Sequence, residues 1–464
     1  MENKLQNEVK ALLELSAYKE IQGILAGKHP SDVAEAIESL TPEEGVAILR
    51  FIPREYSYKV FEYLHPFYQE KIIKGLKPEE ISLLLNEMSP DDRTELLESI
   101  KVADVQHYIN LLSPEESAVT KSLLHYPEES VGRIMTTDYI AVKEDWTVKE
   151  VLDYVRNNAK SAETLSMVYV IDREDKLLDD IAIHEFLLAP LGRKVSELMD
   201  HHFTYLDVHE KSEDAATKFK KYDRIAMPVL DDHMHLLGLV TVDDILDLVE
   251  EQSTEEIQKF GGLEALDYPY VSTPIFKLIE KRAGWLVILF LSEMLTTNAM
   301  TAYEDVLAKS VVLSLFIPLI ISSGGNSGSQ AATLIIRSLA LGEITLKDWW
   351  FVMKREILSG VLLGSILGVI GFLRIGLWTF YSVKVHGTYV YTEHWALVGM
   401  TVGFSLVGIV LWGTLSGSIL PIVLKRFGLD PATSSAPFVA TLVDVTGLII
   451  YFSVASFILK GTLL

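Results

Sequence analysis

The chain from Gly284 onward contains five apolar stretches, each of a length that crosses a membrane as a helix. They cover residues 284–302, 310–339, 357–380, 395–424 and 434–459. A helix needs about 20 apolar residues to span the hydrocarbon core of a bilayer. Because lipid offers the backbone no hydrogen-bond partners, such segments are restricted to helices that satisfy their own peptide groups. The sequence therefore predicts a five-helix transmembrane bundle at residues 283–464.

The charge of the chain is concentrated before these stretches. The 464 residues include 41 Lys and Arg and 64 Asp and Glu, a formal net charge of −23. From Gly284 onward there are ten basic and nine acidic residues, so the first 283 residues carry a net charge of −24. Such a surface does not favour nucleic acid, whose phosphates are bound by Lys and Arg. We expect the lipid bilayer and divalent cations as partners, and no nucleic acid.

The distribution of basic residues predicts the orientation of the bundle. The N-terminus, MENKLQNEVK, lacks the basic-then-apolar pattern of a signal peptide, so we expect the first half to stay on the side of synthesis. Short loops rich in Lys and Arg lie on the cytoplasmic side. Nine basic residues then flank the inner ends and three the outer ends, which predicts a multi-pass protein of the cell membrane, N-terminus cytoplasmic and C-terminus outside. The chain has no cysteine, which excludes disulfides and thiolate metal sites.

Residues 1–128 have the pattern of an array of short helices. Three helix starts share one form: TPEE at 41–44, SPDD at 89–92 and SPEE at 113–116. A hydroxyl at the N-cap accepts from free backbone N–H groups, proline is tolerated at the first helical position, and acids there face the positive helix end. Their recurrence predicts stacked helices, an all-α N-terminal superhelical domain.

Residues 129–252 contain a tandem repeat. Residues 131–135 recur as 195–199, and each copy continues with a strand, a helix and an apolar strand. This alternation predicts a paired α/β module, and it resembles a tandem CBS domain pair. That resemblance implies an adenine-nucleotide site in which Thr241 and Asp244 hold the ribose, with ATP as a regulatory ligand. The first copy has Ala182 and Glu185 instead, which limits the expectation to one site.

A connecting helix is predicted at residues 253–282. It continues an acidic run that holds seven Asp and Glu between Asp243 and Glu256. Like charges at helical spacing destabilise a helix unless cations or basic partners screen them. The run is interpreted either as a cation-binding surface or as an ordinary solvated face.

The membrane half contains two features that point to an ion. Asp444 is the one charged residue of the stretch at 434–459, and an ionised group at mid-membrane costs about 2.5–3.5 kcal/mol. A polar, glycine-rich stretch, SSGGNSGSQ at 322–330, interrupts the second apolar segment and must face protein or water. Oxygen ligands around a single carboxylate suit a hard cation such as Mg²⁺, which often keeps several waters. Glu293, in the middle of the first segment, is a second candidate acid, and a hydrogen-bonded structural Asp444 is the alternative.

The order of these parts resembles the MgtE family of magnesium channels and transporters. The resemblance rests on GGNSGSQAATLIIRSLALGEI from Gly324, GLDPATSSAPFVATLVDVTG from Gly428, and the run from Val240 to Gly262. It implies a homodimer that imports Mg²⁺ through a pore on the twofold axis, closes when cytosolic Mg²⁺ binds, and is not an enzyme. The implied pore residues are Asp444, Ala440, Thr333, Ser329 and Asn326. The implied cytosolic Mg²⁺ ligands are Glu213, Asp223, Asp244, Asp247, Glu255, Glu256 and Asp430.

Two positions depart from the family pattern, and two other functions remain open. Ser329 stands where some members carry Asn, and Gln252 stands where the family has an acid. The letters GNSG at 325–328 also fit an intramembrane serine protease, but that mechanism needs a histidine within the membrane. His386 and His394 fall in a predicted outer loop instead. A membrane-tethered Mg²⁺ or nucleotide sensor without transport is the other alternative.

Overall fold

The computed structural model describes residues 2–15, 17–160, 162–266, 268–389 and 391–463. The chain forms two compact units, which we call the first unit (Met1–Glu251) and the second unit (Gln252–Leu464). The first unit begins with ten helices: α1 (Glu2–Glu14), α2 (Tyr18–Leu25), α3 (Pro30–Glu38), α4 (Pro42–Phe51), α5 (Arg54–Glu62), α6 (Pro66–Ile73), α7 (Pro78–Glu87), α8 (Pro90–Ser99), α9 (Val102–Ile109) and α10 (Pro114–His125).

The helix starts predicted from the sequence are present, with one difference in capping. The Thr41 hydroxyl accepts from the Glu44 N–H at 3.3 Å, and the Glu44 carboxylate accepts from the Thr41 N–H at 2.9 Å. The Ser113 hydroxyl caps α10 in the same way. At α8 the prediction of a hydroxyl cap is wrong, because the Ser89 hydroxyl donates to the Asp92 carboxylate at 2.8 Å. The Asp92 carboxylate therefore accepts a side-chain hydrogen bond within this helix start.

A buried arginine joins the last helices of this array. The Arg93 side chain is fully buried, and its guanidinium donates to the Thr120 hydroxyl at 2.9 Å and to the Leu85 carbonyl at 3.0 Å. It also pairs with Glu116. A buried charge is tolerated only when it is paired and hydrogen-bonded. Arg93 meets that condition and ties α8 to α10.

The repeat folds as two copies of one α/β module. Its elements are α11 (Val131–Ile134), β1 (Ala141–Lys143), α12 (Val148–Asn158), β2 (Met167–Ile171), β3 (Leu177–Ala182), α13 (Ile183–Leu188), β4 (Leu206–Asp207), α14 (Ser212–Tyr222), β5 (Ala226–Leu230) and β6 (Leu236–Thr241). The strand orders are β1-β2-β3 and β4-β5-β6. In each copy the first pair is parallel and the second antiparallel. This confirms the paired α/β prediction.

The remaining helices include five long, apolar ones, as predicted. They follow α15 (Val242–Phe260) and are α16 (Ile275–Ala302), α17 (Glu304–Lys309), α18 (Ile317–Ala340), α19 (Trp349–His386), α20 (Trp395–Arg426) and α21 (Ala436–Ile458). Five spans in the described residues are long and apolar enough to cross a membrane, namely α16, α18 with the 3₁₀ turn before it, α19 with its preceding turn, α20 and α21. The two units meet within α15, between Glu251 and Gln252.

The glycine-rich stretch lies within α18, which continues through it. The glycines allow α18 and α20 to approach backbone to backbone. A Cβ atom on Gly417 would lie 2.1 Å from the Gly328 carbonyl oxygen, and one on Gly413 would lie 2.5 Å from that of Gly324. Small residues allow such close crossings of helices. In a membrane these contacts stabilise helix association by van der Waals packing, because lipid removes the hydrophobic driving force.

Substitution at this crossing should destabilise the second unit. In Gly417→Ala the added methyl group collides with the α18 backbone, and overpacking of this kind costs about 1–3 kcal/mol. We expect the midpoint of thermal unfolding in detergent to fall by several degrees, measured by tryptophan fluorescence. Gly284→Ala is the matched control, because its Cβ would meet no atom within 4 Å. Equal midpoints for the two variants would mean that the crossing is not tightly packed.

Candidate ion sites

Four polar side chains form one face of α18. Asn326, Ser329, Gln330 and Thr333 follow the spacing of three and four residues that places side chains on one side of a helix. Asn326, Gln330 and Thr333 are exposed on the single chain, whereas the glycines on the opposite side are buried. The side-chain oxygens of this stretch therefore form a row on one side of α18. We call these four residues the polar face.

Hydrogen bonds connect this face to the start of α21. The Ser329 hydroxyl donates to the Ala436 carbonyl at 3.3 Å, which links the two helices. The Thr333 hydroxyl donates to the Ser329 carbonyl at 2.8 Å, and the Asn326 amide donates to the Ser322 hydroxyl at 3.3 Å. Each donation leaves oxygen lone pairs free, so Thr333 and Asn326 keep the capacity to face a cation.

Asp444 lies beside this face. A Cβ atom built on Gly325 would stand 3.7 Å from the Asp444 Oδ1 and 3.3 Å from the Ala440 Cβ. Asp444 is half-buried, and no hydrogen bond to its carboxylate occurs among the residues that the structure describes. The Ala440 carbonyl lies one helical turn earlier, where the α-helical hydrogen bond uses one of its two lone pairs.

Glu293 is the charged neighbour of Asp444. Its negative charge, on α16, acts on the Asp444 carboxylate, and its side chain is exposed on the single chain. Two acids and a row of hydroxyl and amide oxygens are hard ligands, which suit Mg²⁺ better than soft metals. Within the described ranges no three His, Asp or Glu side chains are close enough to enclose a metal ion. This arrangement fits an ion that retains water and is not fully dehydrated.

A second group of acids lies within the first unit. It brings together Asp91, Asp92, Glu95 and Glu62 of the N-terminal helices, Glu163 of the first repeat, and Asp243, Asp244, Asp247 and Glu251 at the start of α15. We call these nine residues the acidic cluster. They repel one another, and the described part of the chain supplies no Lys or Arg ion pair to any of them.

Burial raises the pKa of several carboxyl groups in the acidic cluster. Asp91 is only 9 % exposed, and its Oδ1 has no hydrogen-bond partner among the described residues. Burial, reinforced by Asp92, holds its pKa above the ordinary value. Burial also raises the pKa of Glu62 to about 7, against the lowering effect of the Ser89 N–H, which donates to it at 3.2 Å. A buried carboxylate without a counter-charge is a poor arrangement unless a proton or a cation neutralises it.

The predicted nucleotide pair forms a local helix cap. The Asp244 Oδ2 accepts from the Thr241 N–H at 3.1 Å and from the Thr241 hydroxyl at 2.5 Å. Burial raises the pKa of Asp244 above its ordinary value, and the charge of Asp91 adds to this effect. The two residues are adjacent, as predicted, but their polar groups are directed at each other.

The other predicted cytosolic ligands are placed separately. Glu213 lies in the first turn of α14 and Asp223 caps its end, which puts them about 15 Å apart along the axis. One chain therefore does not bring these two acids to one ion. In the second unit Glu255 and Asp430 meet, with Lys259 between them. Glu256 is the next residue of the same helix.

The sequence reasoning missed five acidic-cluster residues: Asp91, Asp92, Glu95, Glu62 and Glu163. Asp91 and Asp92 were interpreted only as acids that favour a helix start. The available signal was the repeated SPDD and SPEE pattern, which marks acids at helix starts but does not indicate which start packs against α15.

Comparison with known proteins identifies the family. A family model named MgtE, described as a divalent cation transporter, matches residues 317–454. The MgtE intracellular N domain matches residues 28–129, and CBS domains match residues 131–190 and 195–251. The magnesium transporter MgtE of Thermus thermophilus is 35% identical over 464 residues, which cover 99% of this chain and 100% of the relative. The chain belongs to the MgtE family.

Other relatives agree with this assignment. The magnesium transporter MgtE of Bacillus subtilis is 27% identical, covering 92% of this chain and 93% of the relative. The crystal structure of the cytosolic domain of the Mg²⁺ channel MgtE in complex with ATP matches with a TM-score of 0.50 and 30% identity, covering 52% of this chain and 99% of that one. The soluble part of a magnesium transporter matches with a TM-score of 0.51 and 25% identity, covering 55% and 100%. The chain is thus a multi-pass membrane protein of the MgtE family, a family of transporters.

The acidic cluster predicts how stability depends on pH. Where burial raises a carboxyl pKa, the folded state binds more protons than the unfolded state between the ordinary and the raised value. Stability from these groups is then complete below about pH 4.5 and is lost as the pH rises through about 7 to 8, the raised pKa values of Glu62 and Glu95. We expect a fragment of residues 1–251 to unfold several degrees lower at pH 8 than at pH 5.5, measured by circular dichroism.

Divalent ions should reverse this loss. Millimolar Mg²⁺ is expected to raise the unfolding midpoint at pH 8 much more than at pH 5.5, because protons already neutralise the cluster at the lower pH. The variant Asp91→Asn/Glu62→Gln should reduce the pH dependence without abolishing it, because the pKa values of Glu95 and Glu163 are also raised, to about 8. A midpoint that does not change with pH in the unsubstituted fragment would contradict this account of the cluster.

Proposed function

We propose that this chain imports Mg²⁺ across the cytoplasmic membrane and that Asp444 binds the permeating ion. The observation that carries the proposal is the position of Asp444, a carboxylate without a hydrogen-bond partner in the described residues, beside the polar face of α18. The 35% identity to a magnesium transporter over the full chain supports the choice of ion. Orientation follows the basic flanks, with the N-terminus in the cytoplasm and the C-terminus outside.

The pore is formed by two copies of the chain. On one copy the amide and hydroxyl groups of Asn326 and Thr333 are exposed. Such groups are not stable against lipid, since hydrocarbon leaves them without hydrogen-bond partners. A second copy related by a twofold axis would cover this face and enclose water between the two polar faces. Homo-oligomers with this symmetry are the commonest kind.

In this pore the side chains act on a hydrated ion. Mg²⁺ dehydrates reluctantly and usually binds one or two carboxylates while it keeps several waters. One Asp444 from each copy supplies that charge. The side-chain oxygens of Asn326 and Thr333 and the Ala440 carbonyl oxygen accept hydrogen bonds from the retained waters. The Ser329 hydroxyl mainly holds α18 to α21. Selectivity among cations then depends on the distance between the two Asp444 carboxylates.

Loss of the Asp444 charge should abolish transport. We expect Asp444→Asn to reduce Mg²⁺ uptake into proteoliposomes at least tenfold, measured with a trapped fluorescent indicator, without changing the unfolding temperature. The matched control is Glu393→Gln, an exposed acid of the predicted outer loop, which should transport at the wild-type rate. Uptake by Asp444→Asn at the wild-type rate would remove Asp444 from the ion path.

We further propose that cytosolic Mg²⁺ closes the pore by binding the acidic cluster. The fit of the ion rests on Asp91, whose buried oxygen lacks a partner and is a hard ligand. Mg²⁺ there would join α8 to the start of α15, and α15 continues into the second unit. A ligand shifts an equilibrium only by its difference in affinity between the two states. Several weak sites acting together would give a steep response and a negative feedback on cytosolic Mg²⁺.

Neutralising this cluster should prevent closure. The variant Asp91→Asn/Asp92→Asn/Asp244→Asn/Asp247→Asn is expected to conduct at millimolar internal Mg²⁺, at which the wild type closes, in patch recordings with Mg²⁺ as the permeant cation. The matched control changes four acids elsewhere in the N-terminal helices, Glu14, Glu20, Glu35 and Glu43, to Gln. If the first variant still closes at the wild-type concentration, the cluster is a solvated face and this gating model fails.

ATP is proposed as a second regulatory ligand of the CBS pair. Support comes from the Thr241–Asp244 pair and from a neighbour whose cytosolic domain was crystallised with ATP. The alternative of a sensor without transport predicts Mg²⁺ binding by the reconstituted protein with no flux.

A further inference from the structure

A lysine lies between two acids that were expected to bind Mg²⁺. The Lys259 Nζ is 2.8 Å from the Glu255 Oε1 and 3.0 Å from the Asp430 Oδ2. Glu255 precedes Lys259 by one turn of α15, whereas Asp430 is 171 residues away, in the loop between α20 and α21. The three side chains are partly exposed, at 31%, 44% and 39% for Lys259, Glu255 and Asp430. The ammonium group thus occupies the place between the carboxylates that a bridging cation would take.

Neighbouring contacts also fix the C-terminal end of α15 within the second unit. Phe260 packs against the apolar core formed by the membrane helices. Gly262 has a φ of +75°, and a Cβ there would lie 2.7 Å from the Trp285 ring and 3.3 Å from the Pro437 side chain. The Trp285 Nε1–H donates to the Ser435 hydroxyl, which caps α21, at 3.0 Å. The ion pair of Lys259 with Asp430 is therefore one of several contacts between the end of α15 and the start of α21, the helix that carries Asp444.

A backbone hydrogen bond orients Asp430 for its contact with Lys259. The Asp430 Oδ1 accepts from the Ala432 N–H at 2.8 Å, so the bond to Lys259 uses the other carboxylate oxygen. If Lys259 lost its charge, Glu255 and Asp430 would face each other without a cation, and like charges at this range repel. A free ion must be recruited from solution, whereas a side chain is always present at high effective concentration.

We propose that Lys259 is a tethered cation that holds the end of α15 on the loop between α20 and α21 when Mg²⁺ is absent. Resting on the proposed function, this assigns Lys259 a regulatory role: it sets a basal closed population and makes the Glu255–Asp430 contact largely independent of Mg²⁺. The response to Mg²⁺ then comes mainly from other acids. Removal of the lysine charge converts the same pair of carboxylates into a contact that needs a divalent ion.

The test compares Lys259→Gln, which removes the charge, with Lys259→Arg, which keeps it. Lys347→Gln is the matched control, since this lysine has no ion pair in the described residues. The first readout is backbone hydrogen exchange of residues 252–262 in the full chain with EDTA and then with 10 mM Mg²⁺. The second is Mg²⁺ flux in proteoliposomes whose lumen, on the cytoplasmic side of the protein, contains little or ample Mg²⁺.

With EDTA we expect exchange of residues 252–262 in Lys259→Gln to be about threefold to tenfold faster than in the wild type, with residues 275–302 unchanged as a check on folding. Mg²⁺ should restore the protection. Flux at low internal Mg²⁺ should rise by a similar factor and return to the wild-type level when Mg²⁺ is ample. Asp430→Asn, which keeps the bond to the Ala432 N–H, should act in the same direction and add little to Lys259→Gln in the double variant.

Three outcomes would overturn the proposal: Lys259→Gln behaving like the wild type and Lys347→Gln in both readouts, Lys259→Arg showing the same loss as Lys259→Gln, or flux falling when the charge is removed. The exchange readout does not depend on transport. If the wild type carries no Mg²⁺ but Lys259→Gln still exchanges faster, the proposed function fails while the tethered-cation contact stands.

Discussion

The backbone contact between α18 and α20 determines the arrangement of the membrane helices. At Gly328 and Gly417 a single methyl group would already collide with a carbonyl oxygen. Because the glycine side of α18 is occupied by this crossing, its opposite side, with Asn326 and Thr333, is turned away from the packed interior. The same helix approaches α21 at Gly325, which sets Asp444 beside the polar face. The position of the candidate ion path thus follows from the glycines of α18 and α20, which allow these helices to pack closely.

Carboxylates occur in three different surroundings in this protein, which differ in the charged and polar groups nearby. Asp444 has neither a hydrogen bond nor a basic partner in the described residues, which leaves it available to a mobile ion. The acidic cluster is crowded and partly buried, so it favours protons or divalent ions over an empty state. Glu255 and Asp430 share a lysine. The charges and hydrogen-bond partners near a carboxylate therefore differ at each of the three places, although the residue type is the same.

The large elements were predictable because their signals are local. Membrane-length apolar runs, proline after a hydroxyl at helix starts, and two copies of one strand and helix pattern each depend on residues that are close in sequence. Oxygen ligands around a single carboxylate were an expectation from the sequence, and the structure places Asp444 next to the polar face. The N-terminal part of the acidic cluster was missed, since Asp91 and Asp244 are separated by more than a hundred residues and nothing in either segment indicates the other. The contact between Lys259 and Asp430 was missed for the same reason, since 171 residues separate them.

The sequence by itself determined the division into an acidic half and an apolar half, the five spans, and the presence of one carboxylate in the last of them. These follow from composition and from the cost of polar groups in lipid, which act on every segment regardless of its neighbours. The tertiary structure alone decided which acid lies beside the polar face, which acids lie near each other and which contact a lysine. Coulomb energies vary with distance and surroundings, and both are set by the packing of segments that are remote along the chain.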